Sequence, residues 1–145
     1  MENSNQSAET TVAEYYEDYK QTQSEMIALY SKKTRNAIFT IAGLWLASDL
    51  LAMAAANVFS LTYLLTVLIV PVSLVVAGFL AMKQPLVAVI LATVVFVGVW
   101  VLTIVLLGSA GAISGIILKA IIIYFLIAGF QNAREVEKTK KEIVN

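Results

Sequence analysis

Apolar residues run almost without interruption from 36 to 133, and polar residues crowd both ends of the chain. Soft breaks at Asn57, at Lys83-Gln84-Pro85 and at Gly108-Ser109-Ala110-Gly111 divide the apolar block into four segments, about 37–56, 60–82, 86–107 and 111–131. Each holds roughly 20–23 residues, which at about 1.5 Å per residue matches a hydrocarbon core of ~30 Å. The pattern predicts an all-α, polytopic membrane protein with four transmembrane helices. Pro85 suits the first turn of the third. Unsatisfied backbone groups are costly in lipid, which favours four full helices. Three spans plus a re-entrant segment is the alternative that the break at Asn57 leaves open.

The polar ends carry their own patterns. Residues 1–10 are expected to be a disordered polar tail. Residues 11–35 read as a cytoplasmic or interfacial amphipathic helix, because Val12, Tyr15 or Tyr16, Tyr19, Met26, Leu29 and Tyr30 recur at spacings of three, four and seven. Tyr15, Tyr16, Tyr19, Met26 and Tyr30 would then lie at the headgroups or form a partner surface. The plainer reading is that this helix folds on its own bundle. Glu14, Glu17, Asp18 and Glu25 on the same helix oppose tight binding to anionic lipid. Residues 132–145 read as a cytoplasmic helical tail continuing the fourth span, with Glu137 and Lys141 spaced for a pair worth a few tenths of a kcal/mol.

Charge sharpens the topology. Of twenty charged residues, ten lie at or before Arg35 and seven at or after Arg134; only Asp49, Lys83 and Lys119 fall between. Lys32, Lys33, Arg35, Lys83, Arg134, Lys138, Lys140 and Lys141 all fall on one side of a four-span topology, and the positive-inside rule makes that side cytoplasmic. An odd number of spans would break this agreement. No apolar stretch occurs near residue 1, so the first span is expected to act as its own insertion signal. A multi-pass protein of the bacterial inner membrane, with both termini cytoplasmic, fits best. The chain has neither cysteine nor histidine, so no disulfide, metal centre or other cofactor is expected. Its formal net charge of zero gives no field for nucleic acid.

Asp49 and Lys119 are the two charges deep in the apolar block, each about 10 Å below the non-cytoplasmic surface at 1.5 Å per residue. Gly111, Gly115 and Lys119 recur every four residues, a pattern that permits close helix packing. Ala42, Asp49, Ala52 and Ala56 share a face of the first span, with Trp45 at its edge. A lone charge near mid-membrane costs about 2.5–3.5 kcal/mol and favours the protein interior. The expectation is a packed interface of spans one and four with an Asp49–Lys119 ion pair. The functional alternative makes Asp49 a site for a proton, a cation or a cationic solute; in a third arrangement Lys119 snorkels outward and the two never meet. Pro71 is expected to kink the second span.

Catalysis has little foothold. One intramembrane acid cannot make an aspartyl dyad, and Ser114 is offset from Lys119 by five residues, which puts them on different helix faces. The expected function is that of a non-catalytic integral membrane protein, an accessory or scaffold subunit or a self-associating bundle. Its expected partners are the lipid bilayer and a second copy or another membrane or cytoplasmic protein. The runner-up is a small transporter coupled through Asp49, since four spans, two cytoplasmic ends and an acid in span one resemble in outline the small multidrug resistance exporters. In that family the acid is a glutamate without a lysine counter-ion, and the spans are shorter. A pore-forming membrane effector is a third reading.

Overall fold

The computed structural model describes the backbone of residues 2–57, 59–108 and 115–144, with side chains described from residue 14 to 143 except 58, 63, 107 and 109–114. Four helices account for almost all of it: α1 (Glu2–Ala56), α2 (Leu61–Leu80), α3 (Pro85–Leu107) and α4 (Ile116–Val144). No strand occurs among the described residues. Three of the helices contain segments long and apolar enough to cross a membrane, Glu14–Ala56, Pro85–Leu106 and Ile116–Ile143, while the apolar stretch Leu64–Leu80 in α2 is shorter.

The first helix departs from expectation. Residues 1–10 were expected to be disordered and 11–35 to form a separate helix, yet α1 runs without a break through 55 residues, about 80 Å at 1.5 Å per residue. No glycine or proline occurs before Gly43, so nothing in the chain interrupts helical hydrogen bonding at the polar–apolar boundary. α1 stops where Asn57 takes a left-handed φ of 55°, a conformation asparagine tolerates at helix ends. α4 likewise carries its apolar part into the polar tail as one helix, as its sequence predicts.

The connections are short. Between α2 and α3 the Lys83 and Gln84 amides both donate to the Leu80 carbonyl, at 3.0 and 2.9 Å, and Pro85 opens α3 at a position whose amide has no helical partner anyway. α3 ends at Gly108, whose φ of 63° suits a residue without Cβ. Pro71 is buried in the interior of α2 and does not end it. The Ser73 hydroxyl donates to the Ile69 carbonyl at 2.7 Å, one turn back.

α1 is the organising helix, packing along α4 and α2; α3 closes against α2 and α4. The shared core contains Ile38, Ile41 and Ala42 from α1, Leu74, Ala77 and Ala81 from α2, Ala88, Val89, Ala92 and Phe96 from α3, and Ile122, Leu126 and Ala133 from α4. Alanine supplies much of it because, in lipid, apolar surface gains little from leaving its surroundings and packing depends on close backbone approach. Gly78 takes this furthest, with the Phe39 ring of α1 seated on its backbone.

α1 and α4 are antiparallel, and beyond the apolar core their polar halves form a two-helix stalk. The Thr34 hydroxyl, fully buried, donates to the Tyr30 carbonyl at 3.0 Å and reaches the Gly129 carbonyl across the interface at 3.5 Å. Further out, Gln23, Ser31, Ala133, Val136 and Thr139 are buried, and Tyr16, Tyr19 and Lys20 border a small cavity with Glu142 and Ile143. The α2–α3 turn lies at this same end, where Lys83 to Val87 face Val136, Glu137 and Lys140. The ion pair on the tail joins Lys138 to Glu135 at 2.7 Å, rather than Glu137 to Lys141. Being exposed, it contributes at most a few tenths of a kcal/mol.

Candidate functional site

Asp49 and Lys119 lie on neighbouring helices, but each meets a tryptophan. The Trp45 indole, one turn before Asp49 on the same helix, is the polar side-chain group beside its carboxylate. The Lys119 ammonium lies 5.4 Å from the centroid of the Trp100 ring, within the range of a cation–π contact. Phe96 stands between the two indoles, edge-on to Trp45 at 6.0 Å and tilted against Trp100 at 5.9 Å. Phe96 and Trp100 are four residues apart and so share one face of α3. The result is a row of three rings from α1 to α3, with an acid at one end and an amine at the other. The Trp100 indole N–H is buried and has no hydrogen-bond partner among the described residues.

The expected direct ion pair is therefore not formed: among the described residues no salt bridge joins Asp49 to Lys119. Register explains it. Counting antiparallel from the Thr34–Gly129 contact places Lys119 opposite position 44 of α1, so it lies about 7 Å nearer than Asp49 to the end that carries the termini at 1.5 Å per residue. The equal depth inferred from sequence took residue 111 as the start of the fourth helix, whereas α4 begins at Ile116.

The small-residue faces are also redrawn. Gly111 lies outside the described residues. Gly115 precedes α4 with a φ of 65°, and among the described residues nothing approaches within 4 Å of a Cβ built on it. Its carbonyl accepts the Lys119 amide at 2.9 Å. On α1, Ala42 is buried as expected, but Ala52 and Ala56 are exposed and Met53 is buried in their place.

The α4 seam that the sequence reading missed is Ile122, Leu126, Gly129, Ala133 and Val136, all buried. Its signal was present as alternating spacings of four and three. Gly129 is where three helices meet: a Cβ there would lie 3.5 Å from Val89 of α3 and 3.8 Å from Ala37 of α1.

On the stalk, Tyr15, Tyr16, Tyr19 and Met26 are exposed, as is Leu29. Tyr30 is half-buried with the Lys33 ammonium 5.3 Å from its ring centroid. The Tyr19 hydroxyl accepts from the Gln23 amide at 2.6 Å, and the Gln23 side-chain carbonyl, buried in the seam, has no partner among the described residues. Among the described residues no group of three or more acids, histidines or cysteines is placed to hold a metal ion.

These contacts predict a coupling. Lys119→Met should lower stability in the native chain, and by about 1–2 kcal/mol less in a Trp100→Leu background, because the cation–π partner is already gone. Asp49→Asn should leave the cost of Lys119→Met unchanged. Denaturation in mixed micelles reads both cycles, and a coupling that appears with Asp49 but not with Trp100 would restore the ion pair. Comparison with known proteins finds no matching family model, no similar curated protein and no similar solved structure.

Proposed function

We propose that this chain is a non-catalytic, four-span scaffold or accessory protein of the bacterial inner membrane, with both termini and the stalk in the cytoplasm. The observation that carries this reading is the continuity of α1 and α4 from the apolar core into a paired stalk, which ties a cytoplasmic surface mechanically to the membrane part. α2 serves as the fourth span of a membrane bundle. Its 20 residues cover about 30 Å at 1.5 Å per residue, and they connect the far end of α1 to the Lys83 turn beside Glu137 and Lys140. That turn brings its cation to the end where Lys32, Lys33, Arg35 and Arg134 cluster, the arrangement the positive-inside rule assigns to the cytoplasm.

Hydroxyls along the apolar helices also favour a structural role. Those of Thr40, Thr66, Ser73, Thr93 and Thr103 return to carbonyls one turn back, a use that lines no polar pathway. The large groove between α3 and α4 takes in neither Asp49 nor Lys119. The exposed tyrosines of α1 supply the contact surface, since aromatic side chains carry much of the energy of protein interfaces.

A photo-crosslinking residue at Tyr15, Tyr16 or Leu29 should give a protein adduct of discrete mass in intact membranes. Twice the chain mass identifies self-association, and another mass an accessory role. The same probe at Val105, in the apolar part of α3, should capture lipid. Transport through Asp49 is the competing reading. It gains if all stalk positions yield no protein adduct and liposomes show proton-driven uptake that Asp49→Asn abolishes.

A further inference from the structure

The groove between α3 and α4 has a volume of about 660 Å³ and is apolar along its length, with polar groups gathered at one end. Ile90, Val94 and Val97 form one wall, Ile123, Ile127 and Phe130 the other, and Gln131 and Arg134 close the end nearest the stalk. From Ile123 to Arg134 the α4 wall extends about 16 Å at 1.5 Å per residue. Both walls lie beside the core faces of their helices, so the groove opens sideways to whatever surrounds the membrane part.

Arg134 is the informative residue. Its guanidinium lies 5.8 Å from the centroid of the Phe130 ring, and among the described residues no carboxylate pairs with it. It therefore brings several N–H donors to the mouth of an apolar slot. Lys140 and Lys141 follow on the same helix, beyond Lys138 and its partner Glu135, and Lys83 reaches the same level. A ligand that complements this arrangement has a flexible hydrocarbon chain and a compact anion at one end. A helix from another protein fits less well, because the walls are branched or aromatic and offer no small-residue stripe for close backbone approach.

We propose that the groove holds an acyl chain of an anionic phospholipid, with its phosphate on the Arg134 guanidinium in the leaflet facing the stalk. A zwitterionic lipid offers the same phosphate but brings a cationic group toward the lysine cluster. Recognition thus selects net negative charge. The name of the leaflet rests on the cytoplasmic placement of the termini proposed above. If the termini lie outside, the site moves to the outer leaflet with its selectivity intact.

Tryptophan fluorescence tests the idea directly, because Trp100 lines the groove and Trp45 is the chain's other tryptophan. In the full-length Trp45→Phe protein in nanodiscs, brominated phosphatidylglycerol should quench Trp100 at a roughly fivefold lower mole fraction than brominated phosphatidylcholine. That ratio corresponds to about 1 kcal/mol, the usual contribution of one basic residue at an anionic surface. Arg134→Gln should erase the preference, and Lys20→Gln, on the exposed far part of the stalk, should keep it. Mass spectrometry of lipid retained by the unaltered chain, expected to favour the phosphatidylglycerol form, gives the same reading without the Trp45 change. Equal quenching by both lipids, a preference that survives Arg134→Gln, or displacement of the lipid by millimolar inorganic phosphate would each overturn the site.

Discussion

Gly78→Ala should destabilise the protein by about 1–2 kcal/mol, although alanine is the better helix former. A Cβ on Gly78 would lie 2.6 Å from Cδ1 of Phe39 and closer still to the next ring carbon, and overpacking of this kind typically costs about 1–3 kcal/mol. The gain in helix propensity is about 1 kcal/mol at most, so the collision wins. The ring must turn to make room, and two side chains lie against it. Phe79 meets it edge-on at 5.5 Å, and the Arg35 guanidinium lies 5.9 Å from its centroid. Removing the ring should reverse the sign: in a Phe39→Ala background, Gly78→Ala should be neutral or stabilising. Reversible unfolding in mixed micelles measures all four corners of this cycle. A Gly78→Ala protein as stable as the native chain would show that α1 and α2 do not approach as closely as described.

Gly129 should behave in the opposite way. A Cβ there meets Val89 and Ala37 at 3.5 and 3.8 Å, which is ordinary van der Waals contact, so Gly129→Ala should be neutral or stabilising by up to about 1 kcal/mol. Gly129→Leu should cost about 3 kcal/mol or more, at the upper end of overpacking, since three helices converge there and none can yield alone. The damage should extend into the stalk, because the Thr34 contact to the Gly129 carbonyl begins the polar part of the seam. Limited proteolysis at Lys20, Lys32 and Lys33 should then accelerate in Gly129→Leu and stay slow in Gly129→Ala. Equal behaviour of the two variants would remove Gly129 as the junction. Neither glycine has a left-handed φ, so both predictions rest on space alone.

The charged pair shows where reading the sequence stopped. Asp49 and Lys119 were visible at once as the polar groups least compatible with lipid, and the cost of isolating a charge gave good reason to expect them in contact. Trp45 was noted beside Asp49, but nothing tied Phe96 or Trp100 to either charge. A tryptophan that receives a lysine looks, in sequence, the same as one that faces headgroups. The glycine stripe failed for a related reason: spacing of four marks a helix face only if the residues are helical, and Gly115 is not. The tyrosines of α1 were legible as a group because a polar helix displays its large apolar residues against a contrasting background.

The sequence alone determined the helical class, the extent of the apolar segments and the clustering of cations at one end. These follow from local rules: backbone groups in lipid must bond within their own segment, the bilayer sets a length, and charge avoids its interior. Only the tertiary structure decided which side chains meet. Each residue turns a helix by 100°, so a shift of a few residues in register gave Asp49 and Lys119 separate aromatic partners, and the packing buried Met53 in place of Ala52 and placed Gly129 in the α4 seam. Apolar residues surround every helix here, leaving little one-sided contrast from which a buried face can be read. The packing that selects that face arises between helices, and composition along one chain segment does not encode it.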